Sequence, residues 1–526
     1  MLFNSYEFLF LFLPVVFTGF FWLARYGHSV SALWLSLSSL FFYGWWSPKY
    51  VLLLLFSVLF NYWFGRLIGQ TITSNIARAK TLLTIAVVAN LALLGFFKYA
   101  NFFIVNINDI SGGALPLANI ILPLGISFFT FTQIAYLVDV HRGIVRDYNF
   151  NHYLLFVTYF PHLIAGPVLH HAQMIPQFAR SETYRLRADN VAVGLSIFII
   201  GMVKKVLLAD SFADYAGPVF GAAQQGIQPD FIEAWTGTLA FTLQLYFDFS
   251  GYCDMAIGLS LLFGIKLPIN FNSPYKAPNI IEFWRRWHMT LSQFLRDYLY
   301  IPLGGNRNGR ALRQVNLMIT MVLGGLWHGA NWTFVIWGAL HGIYLIVNHA
   351  WRSWFGRWIP VSGVRAGIYC VMATTLTFLC VVVAWIFFRA ESWHAAVLVL
   401  KGCFGYGGVS LPSKLAVIVG NFPVLGSVLP QKVSFGGVFI NIPAMGTMGG
   451  IAPFAKLLFL GLLLVWFAPN CQQLFNYDGQ GRCGARIFKW KISWQPAPVI
   501  GLLFGGMFFL ALGKLDKISP FLYYQF

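Results

Sequence analysis

Long runs of residues without a charged side chain recur along the whole sequence. The clearest are residues 8–24, 81–97, 110–138, 367–388 and 492–513. A helix that crosses a bilayer needs about 20 apolar residues, and its backbone polar groups must be satisfied within the protein. The runs are continuous rather than alternating, which disfavours a transmembrane β-barrel. The sequence therefore predicts an all-α polytopic membrane protein, with roughly 10 to 13 transmembrane helices and a few shorter interfacial helices.

Composition agrees with this prediction. Only 10% of the residues are charged, whereas a soluble domain carries about 25%, and the mean hydropathy is +0.68. The net charge is +18. Basic loops on the cytoplasmic side, next to anionic lipid, account for this excess, so we expect membrane lipid and no nucleic acid as a partner. Six cysteines without a CxxC pair indicate neither a disulfide framework nor a zinc site.

We predict a single membrane domain over residues 1–526. Apolar N-terminal helices occupy residues 1–138, a more polar core residues 139–350, and C-terminal helices residues 351–526. Polar residues at membrane depth are costly, so their concentration in the core indicates an internal cavity. Residues 401–450, rich in glycine and proline, should form loops and short interfacial helices on a side that the sequence leaves open. By the positive-inside rule, two arginine clusters should face the cytoplasm: Arg180, Arg185 and Arg187, and Arg296, Arg307, Arg310 and Arg313.

The segment EFWRRWHMTLSQFLRDYLY at residues 282–300 predicts an amphipathic helix. Its apolar stripe includes Trp284 and, four residues later, His288. An imidazole buried among tryptophans stays neutral, because desolvation disfavours the charged form. His288 is therefore either a functional group or a satisfied core histidine, and the segment alone does not separate the two.

A second histidine, His328, lies in the apolar segment GGLWHGAN at residues 324–331. Glycines on both sides allow backbone, substrate or another helix to approach closely. A neutral, partly desolvated imidazole in a narrow passage suits general-base chemistry. A purely structural role for His328 remains open on this evidence.

Two carboxylates, Asp248 and Asp254, lie in the otherwise apolar segment at residues 246–258. Carboxylates at membrane depth need partners. One hypothesis has them hold the histidines in one tautomer. The other has them serve helix packing, for instance by pairing with Arg285 or Arg286.

Two further features have weaker chemical implications. The adjacent His170 and His171 point to different sides of a helix and have no carboxylate at ligand spacing, so we predict no metal site. The segment GGNRNG at residues 304–309 lacks the ending of a phosphate-binding loop. Three arginines lie in this region: Arg307, Arg310 and Arg313. They either bind the phosphates of an acyl-carrying cofactor or belong to a solvated loop that sets the topology.

Four motifs, in this order along the chain, together resemble the membrane-bound O-acyltransferases, and in particular their bacterial alginate O-acetylase branch. The likeness extends to the opening MLFNSYEFLFLFLPVVF and the ending SPFLYYQF, so it covers essentially the full sequence. The motifs are YFDFSGY at 246–252, NFNSPY at 270–275, FWRRWHMTLSQFLRDYLYIPLGGNR at 283–307 and GGLWHGANWTF at 324–334.

The resemblance implies a ring of tilted transmembrane helices around a thin centre, where two funnels meet. It makes His328 the expected catalytic histidine and His288 the second polar position of the active site. It implies no bound cofactor, and acetyl-coenzyme A as the cytoplasmic acyl donor. The remaining candidates for donor binding or active-site support are Asp248, Asp254, Trp327, Asn331, Arg285, Arg307, Arg310 and Arg313.

The same resemblance implies multi-pass insertion in the bacterial inner membrane and an SGNH-like acetyltransferase partner, periplasmic or membrane-anchored. That partner would place the acetyl group on an exported polysaccharide such as alginate or cellulose. Two alternatives stay open: transfer of D-alanyl or another acyl group from a carrier protein, and a transporter or flippase without catalysis. Direct transfer and a covalent acyl-enzyme are likewise both open.

Overall fold

The computed structural model of the chain describes residues 1–145, 149–307, 309–360, 362–410, 433–434, 441–442, 445, 450–477, 494, 497–515 and 521–522. Helices dominate this part of the chain. Its β structure is one parallel pairing of two-residue strands, Val409–Ser410 with Val433–Ser434. Most of the predicted loop segment at 401–450 lies outside the described residues.

The N-terminal part consists of helices joined by short turns. A π-helical turn at Phe8–Phe12 runs directly into the first helix. The helices are α1 (Leu13–Leu23), α2 (His28–Gly44), α3 (Pro48–Thr71), α4 (Ile76–Ser111) and α5 (Ile126–His141).

The middle of the chain holds shorter helices around two long ones. A π-helical segment, Lys204–Ala209, joins α9 to α10, and another, Arg296–Tyr300, follows α13. The helices are α6 (Phe150–Thr158), α7 (Phe160–Leu163), α8 (His171–Phe178), α9 (Ala188–Val203), α10 (Asp210–Gln224), α11 (Phe231–Leu262), α12 (Ile280–Trp284), α13 (Met289–Leu295) and α14 (Gly309–His328).

The remaining described helices follow α14. They are α15 (Trp332–Phe355), α16 (Gly363–Arg389), α17 (Trp393–Cys403), α18 (Ile451–Phe467), α19 (Cys471–Phe475) and α20 (Pro498–Leu512).

Helix α11 forms the centre of the fold. It begins with a capping box between Asp230 and Glu233, and nearly all of its residues are buried. Glycines let α9 approach it closely: a Cβ atom on Gly201 would lie 2.6 Å from the carbonyl oxygen of Gly251. Small residues at helix crossings are typical of packing within membranes, because they allow backbone contact.

Among the residues that the structure describes, five helical segments are long and apolar enough to span a membrane. Four shorter apolar helices accompany them in the described part of the chain. The all-α polytopic class is therefore confirmed, but five segments, rather than the 10 to 13 expected, meet the length and hydropathy that spanning requires. Polar side chains in α11 and α14, and the shortness of other apolar helices, account for the difference. The five segments are Pro48–Thr71, Ile76–Ser111, Ala188–Gln224, Trp332–Trp358 and Gly363–Arg389.

The charges that bound the apolar runs do not always mark helix ends. Lys98, which bounds the run at 81–97, lies inside the 36-residue helix α4. That helix ends at Gly112, whose φ of 65° is left-handed, so the uncharged run at 110–138 is divided between α4, an irregular segment and α5. Helix boundaries depend on caps and turns, which the hydropathy pattern does not report.

Buried ion pairs connect the α9–α10 region to α11. Lys205 Nζ lies 2.8 Å from Asp248 Oδ1 and 2.7 Å from Asp210 Oδ1, and Lys204 pairs with Asp254. The π-helical turn supplies both lysines. Among the described residues, the aspartates of α11 pair with these lysines, while Arg285 and Arg286 pair with Glu282. The hypothesis of arginine partners for the aspartates is wrong, because the π-helical turn brings two lysines to them and both arginines pair with Glu282 instead.

We expect Lys205→Met to lower the thermal unfolding midpoint of the detergent-solubilised protein. The substitution leaves Asp248 buried without its ion-pair partner, and breaking a buried pair costs about 3–5 kcal/mol. Lys205→Met combined with Asp248→Leu should recover part of the loss. The exposed Lys401→Met is the control, and equal midpoints for the two lysine variants would contradict the role of this pair.

Candidate active site

His288 lies at a break between two short helices. Helix α12 ends at Trp284 and α13 begins at Met289, and His288 adopts left-handed backbone angles, φ 43° and ψ 54°. The prediction of one helix over 282–300 is therefore wrong. The apolar stripe exists in sequence, but a left-handed residue interrupts the helix, and a bulky side chain adopts that conformation only where the surroundings enforce it.

Asn270 holds this break in place. Its backbone oxygen accepts the Met289 N–H at 2.9 Å. Its side-chain oxygen accepts from the Thr290 N–H at 3.2 Å and the Thr290 hydroxyl at 3.0 Å, and lies 3.1 Å from His288 Nδ1. Because an amide oxygen only accepts, His288 carries a proton on Nδ1. In the neutral ring, Nε2 is then a hydrogen-bond acceptor.

His328 is the last residue of α14 and is 4% exposed. Its ring lies edge-to-face against three aromatic side chains, each about 5 Å away between ring centroids: Trp327 at 5.0 Å, Trp337 at 5.0 Å and Phe388 at 5.1 Å. Its centroid is 6.5 Å from that of His288. The two histidines, 40 residues apart in sequence, therefore share one aromatic enclosure.

Close packing of α14 against α15 positions His328. A Cβ atom on Gly325 would lie 2.2 Å from the carbonyl oxygen of Phe334, and one on Gly338 would lie 2.3 Å from that of Met321. Any larger residue at these positions pushes the helices apart. The prediction that glycines permit close approach at the GGLWHGAN segment is confirmed, and the partner is a neighbouring helix.

Two cavities lie near the histidine pair. One, of about 390 Å³, is lined by His328 and Trp327, together with Lys98, Ile164 and residues 122–128. The other, of about 920 Å³, reaches Met289 and Thr290, directly after His288, and is lined by three basic residues: Lys266, Arg285 and Arg296.

The cavities lie at opposite ends of α5. This helix begins at the smaller cavity, and just beyond its end Arg142 donates to the carbonyl of Asp297, the neighbour of Arg296 in the larger cavity. A helix of 16 residues is about 24 Å long, shorter than the roughly 30 Å of a bilayer's hydrocarbon core. The two cavities thus lie within about one helix length of each other.

The other candidate residues divide into groups. Trp327 contacts both histidines, with its centroid 6.1 Å from that of His288. Asn331 instead caps α15, accepting the Thr333 N–H at 3.0 Å and donating to the Glu391 carbonyl at 2.8 Å.

Of the basic candidates, Arg285 lines the larger cavity. Arg307 and Arg310 are exposed near the start of α14 and Arg313 is half-buried; none of the three lines either cavity described here.

Three residues near the histidines were missed by the sequence analysis: Asn270, Lys98 and Tyr99. Lys98 was noted only as the boundary of an apolar run, yet its ammonium contacts the backbone of Trp327 and His328. A charge within a helical segment of this length was the available signal, since such residues are usually functional or paired. Asn270 occurs in one of the motifs, but nothing in its spacing indicates contact with His288.

Comparison with known proteins agrees with this geometry. Residues 17–388 match the membrane-bound O-acyltransferase family. The chain belongs to this family. A peptidoglycan O-acetyltransferase of Helicobacter pylori is 46% identical over 438 residues, covering 78% of this chain and 81% of that protein. A probable alginate O-acetylase of Pseudomonas aeruginosa is 45% identical over 415 residues, covering 77% and 75%.

A teichoic acid D-alanyltransferase of Streptococcus thermophilus is more distant, with 29% identity over 270 residues, or 49% of this chain and 64% of that protein. Family membership confirms the resemblance seen in the motifs. The chain is therefore a multi-pass membrane acyltransferase, and the catalytic roles of His288 and His328 remain predictions.

Asn270→Ala should destabilise the protein by removing the shared acceptor of the His288 turn. A buried donor left without a partner costs about 1–3 kcal/mol, and Asn270 serves several donors. We expect a lower thermal unfolding midpoint in detergent, whereas the exposed Gln225→Ala should leave it unchanged. A wild-type midpoint for Asn270→Ala would show that the turn does not depend on this side chain.

Proposed function

We propose that this protein transfers an acetyl group from cytoplasmic acetyl-coenzyme A towards an exported polysaccharide at the bacterial inner membrane. The observation that carries the proposal is the pair of buried histidines between two cavities, the larger of which is lined by Lys266, Arg285 and Arg296. An SGNH-like partner, periplasmic or membrane-anchored, would complete the O-acetylation of the polymer. The related proteins named for peptidoglycan and alginate acetylation support an exported glycan as the final acceptor.

The positive-inside rule supports the assignment of the larger cavity to the cytoplasm. Its Lys266 donates its N–H to Gln177 at 2.8 Å, which places it beside the segment that bears the cluster Arg180, Arg185 and Arg187. Coenzyme A is a phosphate-rich anion, and a cavity lined by Lys266, Arg285 and Arg296 would attract it electrostatically. Arg307, Arg310 and Arg313 line neither cavity and would contribute only to longer-range attraction.

In the proposed reaction, the hydroxyl oxygen of the acceptor attacks the carbonyl carbon of the thioester. His328 takes the hydroxyl proton, the new carbon–oxygen bond forms, and the carbon–sulfur bond breaks with the electron pair leaving on the coenzyme A sulfur. Such general-base assistance contributes typically about 10²–10⁴-fold. Because a thiolate is a good leaving group, the reaction needs no metal.

His288 could either orient the acceptor hydroxyl or polarise the thioester carbonyl, and its hydrogen bond to Asn270 favours the first role. With its Nδ1 proton directed at Asn270, a neutral His288 offers an acceptor at Nε2 rather than a donor. It is therefore suited to accept a hydrogen bond from the acceptor hydroxyl and orient it. Polarisation of the thioester carbonyl would require a donor, which this tautomer does not provide.

We expect His328→Ala to reduce acetyl transfer from labelled acetyl-coenzyme A by about 10²-fold or more, because the general base is lost. The purified proteins are compared at equal amounts of folded material. His394→Ala, at an exposed histidine on α17, is the matched control and should retain wild-type rates. Full activity of His328→Ala would exclude the proposed mechanism, and an inactive wild type would favour a transporter or another donor.

Replacing two cavity arginines, Arg285→Gln with Arg296→Gln, should raise the KM for acetyl-coenzyme A about ten-fold, since each 1.4 kcal/mol of lost binding is a factor of ten. The value of kcat should change little, because neither side chain contacts the histidines. Arg365→Gln, exposed at the start of α16, is the control. An unchanged KM in the double variant would mean that the donor enters elsewhere.

A further inference from the structure

An ammonium group lies against the end of the helix that bears His328. Lys98, on α4, donates to the carbonyl oxygens of Trp327 and, at 3.0 Å, His328. Its third close oxygen is the hydroxyl of Ser127 at 3.4 Å. The adjacent Tyr99 donates its hydroxyl to the Leu326 carbonyl at 2.7 Å. Two consecutive residues of α4 therefore donate hydrogen bonds to the last three carbonyls of α14, about 230 residues away in sequence.

These contacts provide hydrogen-bond donors for the carbonyls at the C-terminal end of α14. The last four carbonyls of a helix have no intrahelical partner, and the end of α14 packs against aromatic side chains, which offer these carbonyls no hydrogen bonds. A cation at a helix C-terminus is favourable because the carbonyl dipoles point towards it. In the part of the chain that the structure describes, Lys98 forms no ion pair with a carboxylate, so these dipoles supply its main compensation.

The ammonium is not arranged as a substrate ligand. It carries three N–H donors, and three protein oxygens already lie around it. Lys98 also lines the smaller cavity next to His328, with its Nζ 5.9 Å from the centroid of the Trp327 ring. It therefore fixes the wall of the cavity and the backbone from which the imidazole projects.

We propose that Lys98, assisted by Tyr99, is a positioning residue that aims the His328 imidazole by holding the last turn of α14. The inference rests on the proposed function of His328 as the base. If the last turn loosens, the base moves relative to the acceptor hydroxyl, and a misplacement of about 1 Å costs on the order of a hundred-fold in rate. Donor binding in the opposite cavity is unaffected.

The test compares kcat and KM in four variants. Lys98→Met keeps a long side chain and removes the charge, so kcat should fall about 10- to 100-fold with the KM for acetyl-coenzyme A unchanged. Lys98→Arg, which keeps the donors, should restore part of kcat. Tyr99→Phe should lower kcat a few-fold, and Lys49→Met, at an exposed lysine over the ring of Tyr50, should match the wild type.

A second readout is independent of turnover. Mass spectrometry measures the rate at which diethyl pyrocarbonate modifies His328, which should change in Lys98→Met and Tyr99→Phe but not in Lys49→Met. An inactive wild type would refute the proposed function, but the modification rate would still test whether Lys98 and Tyr99 hold the last turn of α14. Unchanged kcat in folded Lys98→Met, or a change confined to KM, would overturn the positioning role. If Lys98→Met does not fold, the results for Tyr99→Phe decide.

Discussion

Both histidines lie where a helix stops inside an apolar core, and the rest of the site depends on how the exposed backbone groups are satisfied there. Polar backbone groups without partners are costly in such surroundings. Next to His288, the side-chain oxygen of Asn270 accepts hydrogen bonds from the N–H and the hydroxyl of Thr290. At His328 the partners are Lys98 and Tyr99. The backbone next to both imidazoles is thus stabilised by side chains from other segments of the chain.

Polar residues at membrane depth serve two purposes in this chain. Asp248 and Asp254 are tied to lysines of the π-helical turn, and these pairs connect two central helices. The imidazoles of His288 and His328 instead face each other between the cavities. A high density of polar residues therefore indicates a functional interior only in part, because some of those residues hold together the scaffold that surrounds it.

The arrangement of the two cavities bears on the proposed transfer across a membrane. One cavity is lined by His328 and the other by the two residues that follow His288, so in the proposed reaction donor and acceptor would approach the same pair of rings from different cavities. Close approach of α14 and α15 through Gly325 and Gly338 fixes where the passage is narrowest.

The sequence by itself determined the membrane class, the acyltransferase family and the two histidines, because hydropathy and ordered motifs are local properties of the chain. It did not determine the left-handed turn at His288, the lysine partners of the aspartates or the contact of Lys98 with α14. It left two roles open for Arg307, Arg310 and Arg313, and it did not predict that Lys266 and Arg296 line one cavity together with Arg285. These features were decided by tertiary structure, since residue spacing specifies neighbours within one helix, while contacts between segments some 230 residues apart arise only when the helices pack.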